Sequence, residues 1–74
     1  MAEAKITKKD LSIGKRIRRF RRNTGLTQEQ LADRIHISTT HVGLVEVGRR
    51  RMSLKTMQKV AKALGVKVRD LIPF

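Results

Sequence analysis

The chain has 74 residues, of which 18 are lysine or arginine and 6 are aspartate or glutamate, so its formal net charge at pH 7 is +12. This length fits one small domain with a marginal core, because such a chain buries only about 60% of the surface that it exposes when unfolded. The sequence contains no cysteine, which excludes disulfides and cysteine-ligated metal sites. We therefore expect no metal or cofactor, and we expect well-packed helices or a partner subunit to supply the missing stability.

The net charge indicates a polyanionic partner, and the aromatic content helps to decide which polyanion it is. No apolar run approaches the length of about 18 residues that a membrane-spanning helix needs, and no signal peptide follows the start. A basic amphipathic membrane binder stays open from charge alone. Phe20 and Phe74 are the only aromatic residues, whereas proteins that bind single strands or RNA loops stack bases on aromatic side chains. The composition therefore favours duplex DNA.

The first ten residues, MAEAKITKKD, contain three lysines and no apolar periodicity. We predict a flexible basic arm over residues 1–10, which is either solvated or follows phosphates. The next segment predicts a helix with Asp10 or Ser12 as its N-cap, ending near Asn23 because Gly25 is typical of a C-cap. Its apolar residues recur at helical spacing: Ile13, Ile17 and Phe20.

A second helix is predicted to begin after Thr27. Thr27 and Gln30 have the spacing of a capping box, in which each side chain bonds the other's free backbone N–H. The helix ends abruptly at residues 36–37, where His36 precedes Ile37. Its buried stripe is formed by Leu31, Ala32 and Ile35.

A third, short helix is predicted from Thr39 to Val47. Ser38 is a good N-cap for it, and Gly48 closes it. Arg49, Arg50 and Arg51 then form a basic loop.

The remaining segments complete one all-α domain over residues 11–74. Ser53 is predicted to cap a fourth helix that Gly65 ends, and VKVRDLIPF can hold one more short turn of helix. The core positions of the fourth helix recur at spacings of three and four residues: Leu54, Met57, Val60, Ala61 and Leu64.

Linked motifs over residues 17–71 resemble the Cro/C1-type (XRE) helix-turn-helix family. They are LTQEQLA in the second helix, S-x-x-x-V-G-x-V-E-x-G in the third, the basic loop, SLKTMQKVAKALGV in the fourth, and RDLI at the end. The resemblance implies a compact lambda-repressor-like domain of four to five helices. Its helix-turn-helix motif covers about residues 28–47, and the third helix is the recognition helix.

The face of the third helix that lies opposite its core has a role in this family. Val42 and Val45 are three residues apart and point into the core, so their neighbours on the helix point elsewhere. The resemblance implies that the outward face enters the major groove, where threonine can bond base edges and leucine can touch a thymine methyl. The alternative is that the threonines only begin the helix and the leucine is a surface residue. The candidate base-reading residues are Thr39, Thr40, Gly43 and Leu44.

Phosphate contacts are expected on both sides of that helix. The resemblance implies that Gln28 reaches a phosphate and braces the recognition helix, although it can equally extend the capping hydrogen bonds. Asn23 and Thr27 are expected near the same stretch of DNA backbone. The basic loop Arg49, Arg50 and Arg51 is expected along phosphates, whereas other exposed cations contribute to the general field: Lys15, Arg18, Arg19 and Arg22.

Three further expectations concern the packing of the domain. Arg21 and Glu46 are expected to form a partly buried ion pair between the first and third helices. His36 stands where the family usually has glycine, so either it adopts the left-handed conformation or the turn differs. The apolar end, Leu71, Ile72 and Phe74, is either a dimer seam or a cap on the monomer's own core.

The function implied by the resemblance is sequence-specific binding of double-stranded DNA by a transcriptional regulator, most simply a repressor bound as a homodimer to a palindromic operator. The alternative is a DNA-binding antitoxin or a restriction–modification controller that acts with a protein partner. Glu29 and Asp33 are candidates for contact with RNA polymerase. We expect a cytoplasmic, nucleoid-associated protein of bacterial, phage or plasmid origin. An enzyme is not expected, because Asp33, Ser38 and His41 lack a nucleophile motif around them.

Overall fold

Five α-helices account for most of the described part of the chain, which in this computed structural model comprises residues 6–72 and residue 74. The helices are α1 (Lys8–Asn23), α2 (Gln28–Ile35), α3 (Thr39–Glu46), α4 (Leu54–Leu64) and α5 (Val68–Leu71). No strand occurs among these residues. The predicted all-α architecture is confirmed.

Helix α1 begins earlier than the sequence pattern indicates. Thr7 is its N-cap, and a reciprocal capping box joins the Thr7 hydroxyl to the Asp10 N–H and the Asp10 carboxylate to the Thr7 N–H, at 3.2 and 2.9 Å. Lys8, Lys9 and Asp10 therefore lie in the helix, which corrects both the predicted N-cap and the predicted arm at these residues. Residues 1–5 of that arm lie outside the described residues.

The junction between α2 and α3 follows the predicted capping signals. Thr27 and Gln30 form the capping box of α2, and the Ser38 hydroxyl accepts the His41 N–H to cap α3. His36 adopts the left-handed conformation with φ 59° and ψ 44°, which decides between the two alternatives for this turn. Helix α3 ends at Glu46, one residue before the predicted end.

The core lies between α1, α2, α3 and α4, with α5 closing one end. Leu54 departs from the prediction, since it is 64% exposed rather than part of the α4 core stripe. It is the first residue of α4, where the helix has not yet reached its neighbours. The buried hydrophobic residues are Ile17, Leu31, Ala32, Ile35, Val42, Val45, Met57, Val60, Ala61, Leu64 and Leu71.

Helices α1 and α3 approach each other closely at Gly14. A Cβ atom at this position would lie 2.6 Å from the Glu46 carbonyl oxygen and closer still to that of Val45. Only glycine fits there without displacing backbone. This contact fixes α3 against α1 at the carboxyl end of α3.

For Leu71 the structure decides between the two alternatives, a dimer seam and a cap on the monomer's own core. Leu71 is fully buried within the chain, so it belongs to the monomer's own core. Ile72 is half-buried and packs against that core, whereas Phe74 is exposed and its ring lies 4.9 Å from Lys9 Nζ. Of the three seam residues, Phe74 is the one that is mostly open to solvent.

Candidate nucleic-acid interface

Helix α3 presents a narrow outward face. Val42 and Val45 are buried, whereas Thr39 and Thr40 are exposed. The alternation follows from the helical period, because residues three apart share the buried side and their neighbours are turned away from it. Gly43 and Leu44 are half-buried at the edge of the outward face.

Val47 belongs to the same face and was missed by the sequence analysis. It follows α3 directly, is 51% exposed, and comes four residues after Gly43 and seven after Thr40. Residues at these spacings share one side of a helix. The spacing was available in the sequence, but the segment's end at Gly48 made Val47 look like a terminal residue.

An ion pair anchors α3 to the rest of the molecule. Arg21 Nε donates to Glu46 Oε2 at 2.6 Å and Arg21 Nη2 donates to Glu46 Oε1 at 3.0 Å, while Arg21 Nη1 donates to the Leu26 carbonyl at 2.7 Å. The two side chains are only 9% and 1% exposed. The expected Arg21–Glu46 pair is thus present and bidentate, and it also holds the connection between α1 and α2.

Gln28 extends this network to the first turn of α2. Its Nε2 donates to Glu46 Oε1 at 3.1 Å. Its side chain also lies over Gly43, where an added Cβ atom would be 3.5 Å from Gln28 Oε1, an ordinary van der Waals distance. The side chain therefore braces α2 against α3, and Gly43 provides the surface on which it lies.

The amino end of α2 exposes further polar groups. Thr27 and Asn23 are exposed. The Thr27 hydroxyl accepts the Gln30 N–H at 3.1 Å and, being a hydroxyl, retains its own hydrogen for donation. The first-turn N–H groups of Gln28 and Glu29 have no acceptor within the helix, as in any α-helix. An anion is favoured at such an end.

The basic loop after α3 is exposed and folds back toward α1. Arg49 donates its backbone N–H to the Leu44 carbonyl at 2.8 Å. Gly48 has a φ of 78°, a left-handed conformation that favours glycine, and a Cβ atom there would displace the Leu11 side chain, whose Cδ2 would lie 2.6 Å away. The direction of the loop is therefore fixed at its first residue.

Arg51 differs from Arg49 and Arg50 because it pairs with α1. Its Nε donates to the two Asp10 carboxylate oxygens at 3.1 and 3.2 Å. The Thr7 backbone N–H has the largest effect on Asp10, and together with Arg51 it holds the pKa of the Asp10 carboxyl below its usual value. The carboxylate thus ties the basic loop to the first turn of α1.

The residues considered for catalysis or metal binding have other placements. Ser38 is the N-cap of α3, Asp33 is exposed on α2, and His41 is half-buried with a solvent-inaccessible Nε2. Among the residues that the structure describes, no group of three or more His, Cys, Asp or Glu side chains is placed to hold a metal ion. A search of the same residues found no helix long and apolar enough to span a membrane.

Comparison with known proteins agrees with this geometry. The control protein C.BamHI from Bacillus amyloliquefaciens is 35% identical over 65 residues, which cover 86% of this chain and 80% of that protein. The crystal structure of the restriction-modification controller protein C.AhdI from Aeromonas hydrophila has 39% identity and a TM-score of 0.80, over 84% of this chain and 94% of that one.

A second similar structure was solved with nucleic acid. It is that of SinR, described as the master regulator for biofilm formation, in complex with DNA, with 27% identity and a TM-score of 0.76 over 80% of this chain and 95% of that one. A family model described as Helix-turn-helix matches residues 17–71, the span over which the Cro/C1-type (XRE) resemblance was seen. The chain therefore belongs to the helix-turn-helix family.

Proposed function

We propose that the protein is a sequence-specific, double-stranded DNA-binding regulator of transcription. The observation that carries this proposal is the exposed polar face of α3, which stands on a helix fixed by the Arg21–Glu46 pair and is followed by a basic loop. The similarity to SinR, solved in complex with DNA, supports the same conclusion. The net charge of +12 supplies long-range attraction to the duplex.

Base reading is assigned to the outward face of α3. Thr39 and Thr40 can bond base edges through their hydroxyls or touch thymine methyls, and Leu44 can touch a thymine methyl. Val47 adds a second exposed apolar group on this face. Gly43 lies at the edge of this face and removes side-chain bulk there, which lets α3 approach the major groove closely.

Phosphate binding is assigned to both flanks of α3. On one flank the first-turn N–H groups of α2, with Asn23 and Thr27, face an anion. Gln28 acts there mainly as a brace, because its amide nitrogen bonds Glu46. On the other flank Arg49 and Arg50 contact the phosphate backbone of the DNA. Arg51 contributes positive charge there while it stays paired with Asp10.

We propose a homodimer on a palindromic operator. Two recognition helices related by a two-fold axis enter successive major grooves about 34 Å apart. The exposed Phe74 and the half-buried Ile72 are the seam residues that the fold leaves available for this contact. Repression then follows from occupation of promoter DNA.

A second candidate function is control of restriction–modification genes. The specific observation in its favour is the similarity to C.AhdI, which covers 94% of that controller. In this case the protein acts together with a protein partner. The exposed Glu29 and Asp33, one helical turn apart on α2, are the proposed contact with RNA polymerase.

An NMR titration tests the placement of the interface. The uniformly 15N-labelled chain is titrated with a duplex and, in parallel, with a single strand of the same length and salt concentration. We expect the duplex to bind more tightly and to perturb amides of α3, the basic loop and the first turn of α2. Perturbation concentrated in α4 and α5 instead, or equal binding of the single strand, contradicts the proposal.

A further inference from the structure

Helix α1 carries a continuous cationic face that the recognition surface does not use. Lys15, Arg18 and Arg22 lie on one side of the helix, at spacings of three and four residues, and all three are exposed. Together with Arg19 and Asn23 they line a shallow concavity of the surface. We call the four cations Lys15, Arg18, Arg19 and Arg22 the α1 cationic face.

The position of this face follows from the contact between α1 and α3. The buried line of α1 consists of Gly14, Ile17 and Arg21. The three cations at positions 15, 18 and 22 each follow one of these residues directly, so they are turned by about 100° around the helix from the line that meets α3. The cationic face is therefore the solvent-exposed shoulder beside the recognition helix.

The opposite shoulder of α1 is not available to a partner. Ile13 and Phe20 on that side are half-buried and pack against the core. Arg16, also on that side, donates to the Asp70 carbonyl at the end of α5 at 3.1 Å. A ligand that approaches α1 from solvent thus meets the cationic face.

The cationic face is continuous with the proposed phosphate site of α2. Arg21 is hydrogen-bonded to Leu26 in the connection and to Glu46, which also binds Gln28. Arg22 and Asn23 come directly after Arg21, so the carboxyl end of the face borders the amino end of α2. A nucleic-acid strand held at α2 can continue along α1.

The charge on this face is not compensated within α1. The single acid of the helix is Asp10, and its carboxylate is bound by Thr7 and Arg51. The cations from position 15 to position 22 span about 10 Å along the helix axis. One strand of B-DNA places about three phosphates along that length of duplex axis, which matches the three cations in number.

We propose that the α1 cationic face binds the phosphate backbone of the DNA that flanks each operator half-site. The protein then grips more duplex than its recognition helices read, and its affinity depends on the length of DNA beyond the operator. This inference rests on the proposed function, because flanking DNA is defined only when the protein binds an operator.

The test compares two duplexes and two charge variants. One duplex ends at the operator, obtained by selection, and the other extends it by about one helical turn, or about 10 base pairs, on each side. The first variant is K15Q/R18Q/R22Q. The control is R34Q/K59Q/K62Q, which removes the same formal charge from exposed residues that line a separate concavity between α2 and α4.

We expect the unmodified protein to bind the extended duplex about tenfold more tightly than the short one at low salt, because added phosphate contacts release counterions from the DNA. Each such contact also steepens the dependence of log affinity on log salt concentration by about 0.9. The α1 variant is expected to lose this gain and to lower the slope by about 2 or more, with its preferred sequence unchanged. The control variant is expected to keep most of the gain.

Two results overturn the inference. Equal affinity of the unmodified protein for both duplexes shows that the flank is not bound, whatever the variants do. An equal loss in the two variants shows that α1 supplies only net charge. Failure to find any preferred sequence is a different result, because it overturns the proposed function itself. Thermal unfolding of both variants checks that the fold is retained.

Discussion

At the scale of single residues, Glu46 joins three helices through one carboxylate, which binds Arg21 of α1 and Gln28 of α2. We expect Glu46→Ala to destabilise the domain by about 3–5 kcal/mol, because it leaves the buried Arg21 guanidinium unpaired. Urea unfolding followed by circular dichroism measures the change.

The control for this prediction removes both charges. The double variant R21M/E46L replaces the buried pair with apolar side chains of similar size, and it is expected to recover most of the lost stability. If the double variant is as unstable as Glu46→Ala, the unpaired charge is not the cause of the loss.

Two glycines of the helices form a matched pair of tests. Gly14→Ala is expected to cost about 1–3 kcal/mol, because its Cβ atom would overlap backbone carbonyls of α3. Gly43→Ala meets only ordinary contact with Gln28, so it is expected to be neutral or to stabilise by up to about 1 kcal/mol through helix propensity. Similar unfolding free energies for the two variants would contradict the close α1–α3 contact.

Predictability at this scale depends on whether the family resemblance points to the contact. The Arg21–Glu46 pair was expected from the family resemblance. The role of Gly14 was not, because it depends on where the carbonyls of a distant helix come to lie. The resemblance also implied that Gln28 braces α3, and its bond to Glu46, 18 positions along the chain, is such a brace.

At the scale of elements, the first turn of α1 is expected to make stability depend on acid pH. The pKa of Asp10 is lowered in the folded chain by the Thr7 N–H and by Arg51, so the carboxylate stabilises the fold above its unfolded pKa of about 3.9. This contribution is lost as the pH falls through the lower, folded pKa. Unfolding measured between about pH 6 and pH 2 is therefore expected to vary less with pH in Asp10→Asn than in the unmodified chain.

Arg51→Gln separates the two causes. It removes the guanidinium but keeps the Thr7 capping box, so its pH profile is expected to lie between those of Asp10→Asn and the unmodified chain. A profile identical to that of Asp10→Asn would mean that Arg51, rather than Thr7, dominates the shift.

Substitutions in α3 and in the basic loop are expected to change DNA binding in different ways. Thr40→Ala should relax base preference at one position by about 1–3 kcal/mol, because it removes a base contact. Arg50→Ala should weaken binding to all sequences alike and lower the salt slope by about 1. Competition binding at several salt concentrations measures both, and a uniform loss in both variants removes Thr40 from base reading.

The helices that the sequence predicts well are those bounded by local signals. The limits of α2, α3 and α4 follow from Thr27, Ser38, Ser53 and Gly65, whose side chains or conformations act on adjacent backbone. The start of α1 was missed because its capping box, Thr7 to Asp10, precedes the apolar residues from which the helix was recognised. A helix end that lacks apolar residues shows little of the periodicity from which a helix is recognised in a sequence.

At the scale of the whole molecule, the fold explains how so small and so charged a chain presents α3. The core and the Arg21–Glu46 pair hold α3 from within, while the excess of cations lies on exposed residues. The assembly was harder to predict than the domain. For Leu71 the sequence left open a dimer seam or a cap on the monomer's own core, because tertiary packing decides which of the two an apolar residue forms.

Selection of binding sites from random duplex DNA, with the affinities of the selected sites measured at several salt concentrations, tests the central claim most directly. The account predicts an enriched inverted repeat whose half-sites are about one helical turn apart, bound far more tightly than random duplex. Binding with a steep salt dependence and no enriched sequence would contradict it, because the outward face of α3 would then read no bases.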